Sequence, residues 1–289
     1  MIDFEKEKRE VSTEDYIFGA TSTPCITNIA IPARGFYLPI GERQNIGSEK
    51  SDCATRSPIN LLETKFNWLL RMKKLKNVQW LEQNGYIKDN YIEFSDRYVA
   101  VLSGTTLQGN SLIAPLKAIH EWGLIPKAMF PQVPNAKDYY TQPTDEMKAL
   151  GKKFAEIFTI NYERVYTKDL PTALENDMVG VAAYAWPMPV NGVYPRADDM
   201  PFNHAFLVWK PLYSAFDNYI DQVDGDFIKA LASDYNFYEY GYRVYISAEN
   251  VNQPELQISI IKEIISKMRE TISLLEKLII KLGKICGLK

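Results

Sequence analysis

Cysteine is scarce in this chain, and histidine is scarcer. Three cysteines, Cys25, Cys53 and Cys286, are spread over 289 residues, with no CxxC pair and no clustering with either of the two histidines. That spacing argues against a disulfide framework and a structural zinc site, and it fits a chain made in a reducing compartment. No metal and no cofactor is expected. Glycine occurs 15 times, but never as a P-loop or a dinucleotide-binding motif. Basic blocks are missing as well. With a formal net charge of −3, nothing in the electrostatics supports nucleic-acid binding. The most apolar stretch, near the C-terminus, carries a charge every few positions, so no transmembrane segment is predicted. Met1 to Glu10 is charged and lacks an apolar core, so no Sec signal peptide is predicted. The expected location is the cytoplasm or a virion.

What is present is a hydrophobic content of 46%, enough for one large domain with an appendage. Residues 1–34 read as an irregular segment. Residues 35–250 read as an α+β domain, and 255–287 as a separate helix. Within the domain, apolar periodicity predicts a helix from Cys53 to about Leu75, with Leu61, Leu62, Phe66, Leu69 and Leu70 on its apolar surface and Pro58 in its first turns. Further helices are predicted over 111–122, ending at Gly123, over 138–158, and briefly over 169–175. Strands are predicted over 98–102, 178–185, 205–210, 215–220 and 240–247 from their aromatic and β-branched content. Helices crowd the first half and strands the second, which suggests two lobes.

After Pro254 the pattern changes. Ile261, Ile265, Met268, Ile272, Leu275, Ile279, Leu282 and Cys286 are spaced 4-3-4-3-4-3-4. That is a coiled-coil seam, and it predicts a homo-oligomer through residues 261–286. Ile264, Leu278 and Ile285 widen the apolar stripe beyond a simple two-stranded seam.

The chemistry centres on Cys53. A thiol is mostly protonated at neutral pH, and a helix N-terminus and a nearby imidazolium both favour the thiolate. Cys53 opens a predicted helix, and His204 is the candidate cation. A histidine that also returns a proton needs an orienting partner, and Asp217 stands 13 residues further on. Gln44, nine residues before Cys53, and the Cys53 backbone N–H could donate to an oxyanion. Each residue also has a plainer reading: Cys53 as an inert buried thiol, His204 as a core histidine, Asp217 as a turn cap, Gln44 as a solvated loop residue. His120, amid Lys117, Glu121 and Trp122, reads as a solvent-edge side chain. Asn218 lies one place beyond Asp217, and its side chain is expected on the opposite face.

Taken together and in order, these blocks resemble the papain-like cysteine peptidases over residues 35–248. Gln44 and Cys53 resemble the family's glutamine-loop-cysteine block. Gly109-Asn110-Ser111 with the helix that follows, ending in Gly123-Leu-Ile-Pro126, resembles its glycine loop, helix and turn. Leu170 to Glu175 and Val179-Gly-Val181 resemble the short helix and strand before the histidine. Asn203-His204-Ala205 resembles the histidine block, Asp217-Asn218-Tyr219 stands where the family has Asn-Ser-Trp, and Tyr240 to Tyr245 resembles the last strand. The resemblance implies a helical lobe beside a β-barrel-like lobe. It also implies substrate binding along the backbone of Gly109, Asn110 and Ser111. The expected activity is a thiol hydrolase acting on peptide or protein substrates through Cys53, His204, Asp217 and Gln44.

The sequence departs from the family's pattern in three places. The loop between Gln44 and Cys53 is about three residues longer than usual, Ala54 replaces a bulky aromatic, and an aspartate stands in for the asparagine. These suggest a divergent branch of the kind found in bacteria and phages. They leave two other expectations open: a structural or assembly protein that keeps the fold, and an acyltransferase that uses an amine acceptor.

Overall fold

The computed structural model describes residues 2, 3, 6, 7, 37–175, 177–209, 213–220, 225–247, 268, 271 and 272. The chain divides into two compact units, Met1–Val251 and Asn252–Lys289. In the second unit, Met268, Thr271 and Ile272 are helical and exposed. The rest of the predicted seam, with Cys25 and Cys286, lies outside the described residues.

The first unit begins with helices. The longest, α1 (Cys53–Arg71), starts at Cys53. The carbonyl of Asp52 accepts the first N–H groups, from Thr55 at 2.9 Å and Arg56 at 3.0 Å. The Asp52 carboxylate is tied down by Arg56 Nε and by the Tyr139 hydroxyl at 2.5 Å. Next come α2 (Val78–Gln83), a small hairpin of β1 (Ile87–Lys88) and β2 (Tyr91–Ile92), α3 (Asp96–Leu102), α4 (Ile113–Trp122), the single turn α5 (Ala136–Tyr139), and α6 (Asp145–Ile157). An aromatic cluster packs beneath them: Phe66 of α1 meets Phe94 edge-on at 5.3 Å, Phe154 of α6 at 5.7 Å, and Phe158, just past the end of α6, at 5.4 Å. Such pairs add to the burial of apolar area.

Strands dominate the remainder: β3 (Ile160–Tyr166), the turn α7 (Leu170–Ala173), β4 (Val179–Ala183), β5 (Val193–Tyr194), β6 (His204–Trp209), β7 (Ser214–Phe216), β8 (Ile228–Leu231) and β9 (Tyr240–Ile246). They form one seven-stranded sheet in the order β3-β9-β4-β6-β7-β8-β5. All pairings are antiparallel except β5 with β8. Helix α1 packs on β4, β6 and β9. Gly180 makes this possible, because a Cβ there would lie 2.6 Å from the Ser57 oxygen on α1. The packing brings the first residue of α1 beside the first residue of β6.

Two expectations need correction. Residues 98–102, expected as a strand, form most of α3. Ser95 caps this helix by accepting the Tyr98 N–H, Asp96 adds charge in its first turn, and Gly104 closes it with φ +74°. Tyr98 to Val101 are buried and Leu102 is half-buried, so the run shows no helical period. The strand expected over 215–220 stops at Phe216, which leaves Asp217 in the turn that follows. The helical stretch expected within 138–158 is α6, which begins at Asp145, where Thr144 accepts the Met147 N–H. Strand β3 was not anticipated. Its polar Glu163 and Arg164 are buried, and Glu163 pairs with Arg243 on β9.

Candidate active site

Cys53, His204 and Asp217 meet where α1 packs on β6. All three are buried. His204 is held at the end of the β4–β6 ladder, opposite Ala183. Its Nε2 lies 2.5 Å from Asp217 Oδ1. The imidazole also hydrogen-bonds the Cys53 side chain, so Nδ1 faces the sulfur, and the Ala205 N–H donates to the same sulfur.

The electrostatics follow from this chain of contacts. Burial, the largest influence, would raise the thiol, but the charge of His204 and the hydrogen bonds from His204 and the Ala205 N–H together outweigh it and bring Cys53 down to about 7. Burial would likewise discharge His204, but the Asp217 carboxylate, then Cys53, hold it up at about 10. Burial acts against the charge of Asp217 as well, and His204, Lys229 and Trp186 together hold its carboxyl below the usual range. The two titrations of the thiol–imidazole pair are coupled, so each belongs to the pair. Their order favours thiolate and imidazolium at neutral pH.

Trp186 and Lys229 also reach Asp217, and neither is among the residues expected at the site. Trp186 Nε1 donates to Asp217 Oδ2 at 2.7 Å, and its ring lies against Phe206 at 4.6 Å and His204 at 6.1 Å. The buried Lys229 ammonium lies 3.4 Å from the same Oδ2. The Tyr219 ring packs on His204 at 4.9 Å. Only the Ala-Trp dipeptide at 185–186, just after a predicted strand, offered a signal; a lysine on an alternating strand reads as solvent-facing.

Gln44 is placed differently from expectation. It is buried, but its side-chain N–H groups are already engaged. Nε2 donates to Glu49 Oε1 at 2.7 Å and to the Tyr219 hydroxyl at 3.2 Å, while Oε1 has no hydrogen-bond partner. The long loop delivers Glu49, whose Oε2 accepts from Tyr219 at 2.5 Å. Burial opposes the Glu49 charge, but the hydrogen bonds from Tyr219 and Gln44 prevail and lower its carboxyl. Inside the loop, buried Lys50 donates to the carbonyls of Ser48 at 2.5 Å and Pro134 at 3.1 Å.

The segment 109–111 is also occupied by the chain itself. The Asp3 N–H donates to the Asn110 carbonyl at 2.9 Å, and Ile2 and Asn110 form a parallel bridge. The Asn110 side chain is buried, donating to Thr105 Oγ1 at 2.9 Å and accepting from Lys6 Nζ at 2.5 Å. Gly109 has φ +102° and pairs with Thr106 in a tight turn, and Ser111 accepts the Ala114 N–H at the head of α4. Asn218 points away from His204: it accepts from Asn60 at 2.8 Å and donates to the Glu42 carbonyl at 2.9 Å. His120 is exposed, with Nδ1 3.2 Å from the Ile160 carbonyl. Among the described residues, no group of acidic, histidine and cysteine side chains could hold a metal ion, and no helix is long and apolar enough to cross a membrane.

No family model matches the sequence, and no curated protein matches it. Solved structures do. Xylellain, a cysteine protease from Xylella fastidiosa, superposes with a TM-score of 0.51 at 12% identity, covering 82% of this chain and 92% of xylellain. The bromelain protease from Ananas comosus, solved with the E64 inhibitor, gives 0.46 at 13% identity over 73% of this chain and 94% of its own. The helices, the sheet and their connection are therefore those of the papain-like cysteine peptidase fold.

Proposed function

We propose that this protein is a cysteine peptidase that cleaves peptide or isopeptide bonds through an acyl-enzyme on Cys53. The observation that carries the reading is the buried chain Cys53–His204–Asp217, with 2.5 Å between His204 Nε2 and Asp217 Oδ1. In this reading the Cys53 thiolate attacks the substrate carbonyl carbon and forms a C–S bond. The carbonyl oxygen takes the negative charge, and the Cys53 backbone N–H at the head of α1 donates to it. His204 gives its proton to the leaving amine as the C–N bond breaks. Water then adds to the thioester, losing its proton to His204, and the acid and the thiolate separate. Asp217 orients the ring and stabilises its charged form, as an aspartate can do at least as well as an amide.

Two groups must move before a substrate can use the whole site. Gln44 can donate to an oxyanion only after leaving Glu49 or Tyr219. A substrate strand can pair with the Asn110 carbonyl only after displacing Asp3. The same proposal includes self-association through residues 261–286, a bacterial or phage-type branch and a cytoplasmic or virion location.

The same two observations favour a second reading, a structural protein that keeps the fold with a weak site. Labelling with iodoacetamide or an epoxysuccinyl inhibitor at neutral pH separates the two. The hydrolase reading expects fast modification of Cys53 that is lost in His204→Ala. Labelling no faster than free cysteine, and unchanged in the variant, sinks it. Product analysis with a labelled amine acceptor distinguishes hydrolysis from acyl transfer.

A further inference from the structure

We propose that Lys229 is a positioning residue of the Cys53 centre: its ammonium is the fixed counter-charge of Asp217, held against the carboxylate oxygen that His204 does not use. The effect on proton transfer rests on the hydrolase reading; the effect on the charge of His204 does not.

The geometry leaves little other use for this lysine. Strand β8 alternates, with Lys229 and Leu231 buried and Ala230 exposed between them. Lysine is rarely buried, and an unpaired ammonium there would be strongly unfavourable. Three contacts fix it. Nζ donates to the Tyr219 carbonyl, lies 3.4 Å from Asp217 Oδ2, and stands 5.1 Å over the Trp186 ring. Trp186 donates to the same Oδ2 at 2.7 Å, so one carboxylate oxygen serves the tryptophan and lysine while the other serves His204.

Charge balance gives the arrangement its purpose. A thiolate and an imidazolium cancel, but the Asp217 carboxylate would leave one buried negative charge. Lys229 removes that excess. The other titratable groups that face this cluster are Glu49, which touches Gln44 and Tyr219, and the hydroxyls of Tyr219 and Tyr235. The Tyr235 hydroxyl is committed to the Tyr184 carbonyl at 2.6 Å. A neutral amide at position 217 would need no buried cation. The carboxylate does, because an uncompensated aspartate would hold the imidazolium proton too firmly for release to a leaving amine.

The test reads His204 directly. With only two histidines, the imidazole signals can be followed by NMR through a pH titration in a Cys53→Ala background, so that no thiol titrates beside the ring. Lys229→Met is expected to raise the His204 midpoint by about 1 pH unit, the size of effect one charge at this range exerts. Asp217→Asn should lower it, and Lys229→Arg should restore it. If Lys229→Met does not fold, Asp217→Asn/Lys229→Met buries no unpaired charge, and its midpoint is expected above that of Asp217→Asn alone. An unmoved midpoint in Lys229→Met, or equal midpoints in the double and single variants, overturns the proposal. The hydrolase reading is tested separately on the intact thiol by the labelling of Cys53.

Discussion

Gln44 Nε2 donates to Glu49 Oε1 at 2.7 Å, inside a loop longer than the resembled family uses. Glu49 also takes the N–H of Ser51 at 2.7 Å and the hydroxyl of Tyr219 at 2.5 Å. The carboxylate therefore collects donors in the loop that leads to Cys53, and Gln44 is one of them. Under the hydrolase reading, Glu49 competes with the oxyanion for Gln44. Glu49→Ala should raise kcat several-fold by leaving the amide free. Gln44→Ala should lower kcat by about 10²–10³-fold, the usual loss for one oxyanion donor. Neither variant should greatly change the rate of thiol labelling, which forms no oxyanion. Steady-state kinetics beside labelling rates check this, and a lower kcat in Glu49→Ala would show that the contact positions Gln44.

The thiol–imidazole pair predicts a pH profile. Cys53 is brought down to about 7 and His204 up to about 10. Alkylation of Cys53 should therefore rise as pH passes about 7, well below the range of a free thiol. Peptide turnover also needs a protonated His204, so it should fall again as pH approaches about 10. In His204→Ala the cation is gone while burial remains, so the alkylation limb should move above the free-thiol range. Second-order rates with iodoacetamide across pH measure the thiol limb, and kcat/KM across pH measures the fall.

The parts of this site that were legible in the sequence are those whose residue types are rare or whose local pattern is strong. Cys53 heads a long apolar-periodic helix, and one of only two histidines opens an apolar strand. Asp217 was legible only through the order of the blocks. Lys229 and Trp186 were not, because they reach Asp217 through β7–β8 pairing and a loop between β4 and β5, and sheet register is not written in any one segment. The strand expected at α3 has a similar origin: Tyr98 to Val101 are buried and Leu102 is half-buried, so the run lacks the polar face that reveals a helical period. Gln44 was identified as a residue but not as a contact, since nothing in the loop's composition says that Glu49 folds back onto it.

Stability should depend on a second buried pair, away from the thiol. Lys65 Nζ on α1 lies 2.7 Å from Asp177 Oδ2, just before β4, with both side chains fully buried. The same ammonium donates to the Val244 carbonyl on β9. It thus ties the helix to two parts of the sheet. Lys65→Met leaves Asp177 buried without its cation and should cost about 3–5 kcal/mol. Lys65→Met/Asp177→Asn should recover part of that loss. Urea unfolding of these two variants and of Asp177→Asn measures it, and an additive double variant would mean that the charges do not act as a pair.

The N-terminal residues should have two separable effects. Glu7 is buried and accepts the Ile113 N–H at 3.1 Å and the Tyr242 hydroxyl at 2.9 Å. Helix α4 has no acidic residue in its first turn, and Leu112 at its N-cap makes no side-chain cap bond, so Glu7 supplies an acceptor that the helix itself lacks. Glu7→Ala should therefore destabilise the fold by about 1–2 kcal/mol, the upper part of the range for a lost cap. Asp3 acts elsewhere, through its N–H on the Asn110 carbonyl. Asp3→Pro removes that donor but leaves Glu7 in place. If residues 2 and 3 occupy backbone that a substrate strand must pair with, Asp3→Pro should lower KM several-fold with little change in kcat. A rise in KM, with stability unchanged in urea, would mean that the segment helps to shape the site instead of covering it.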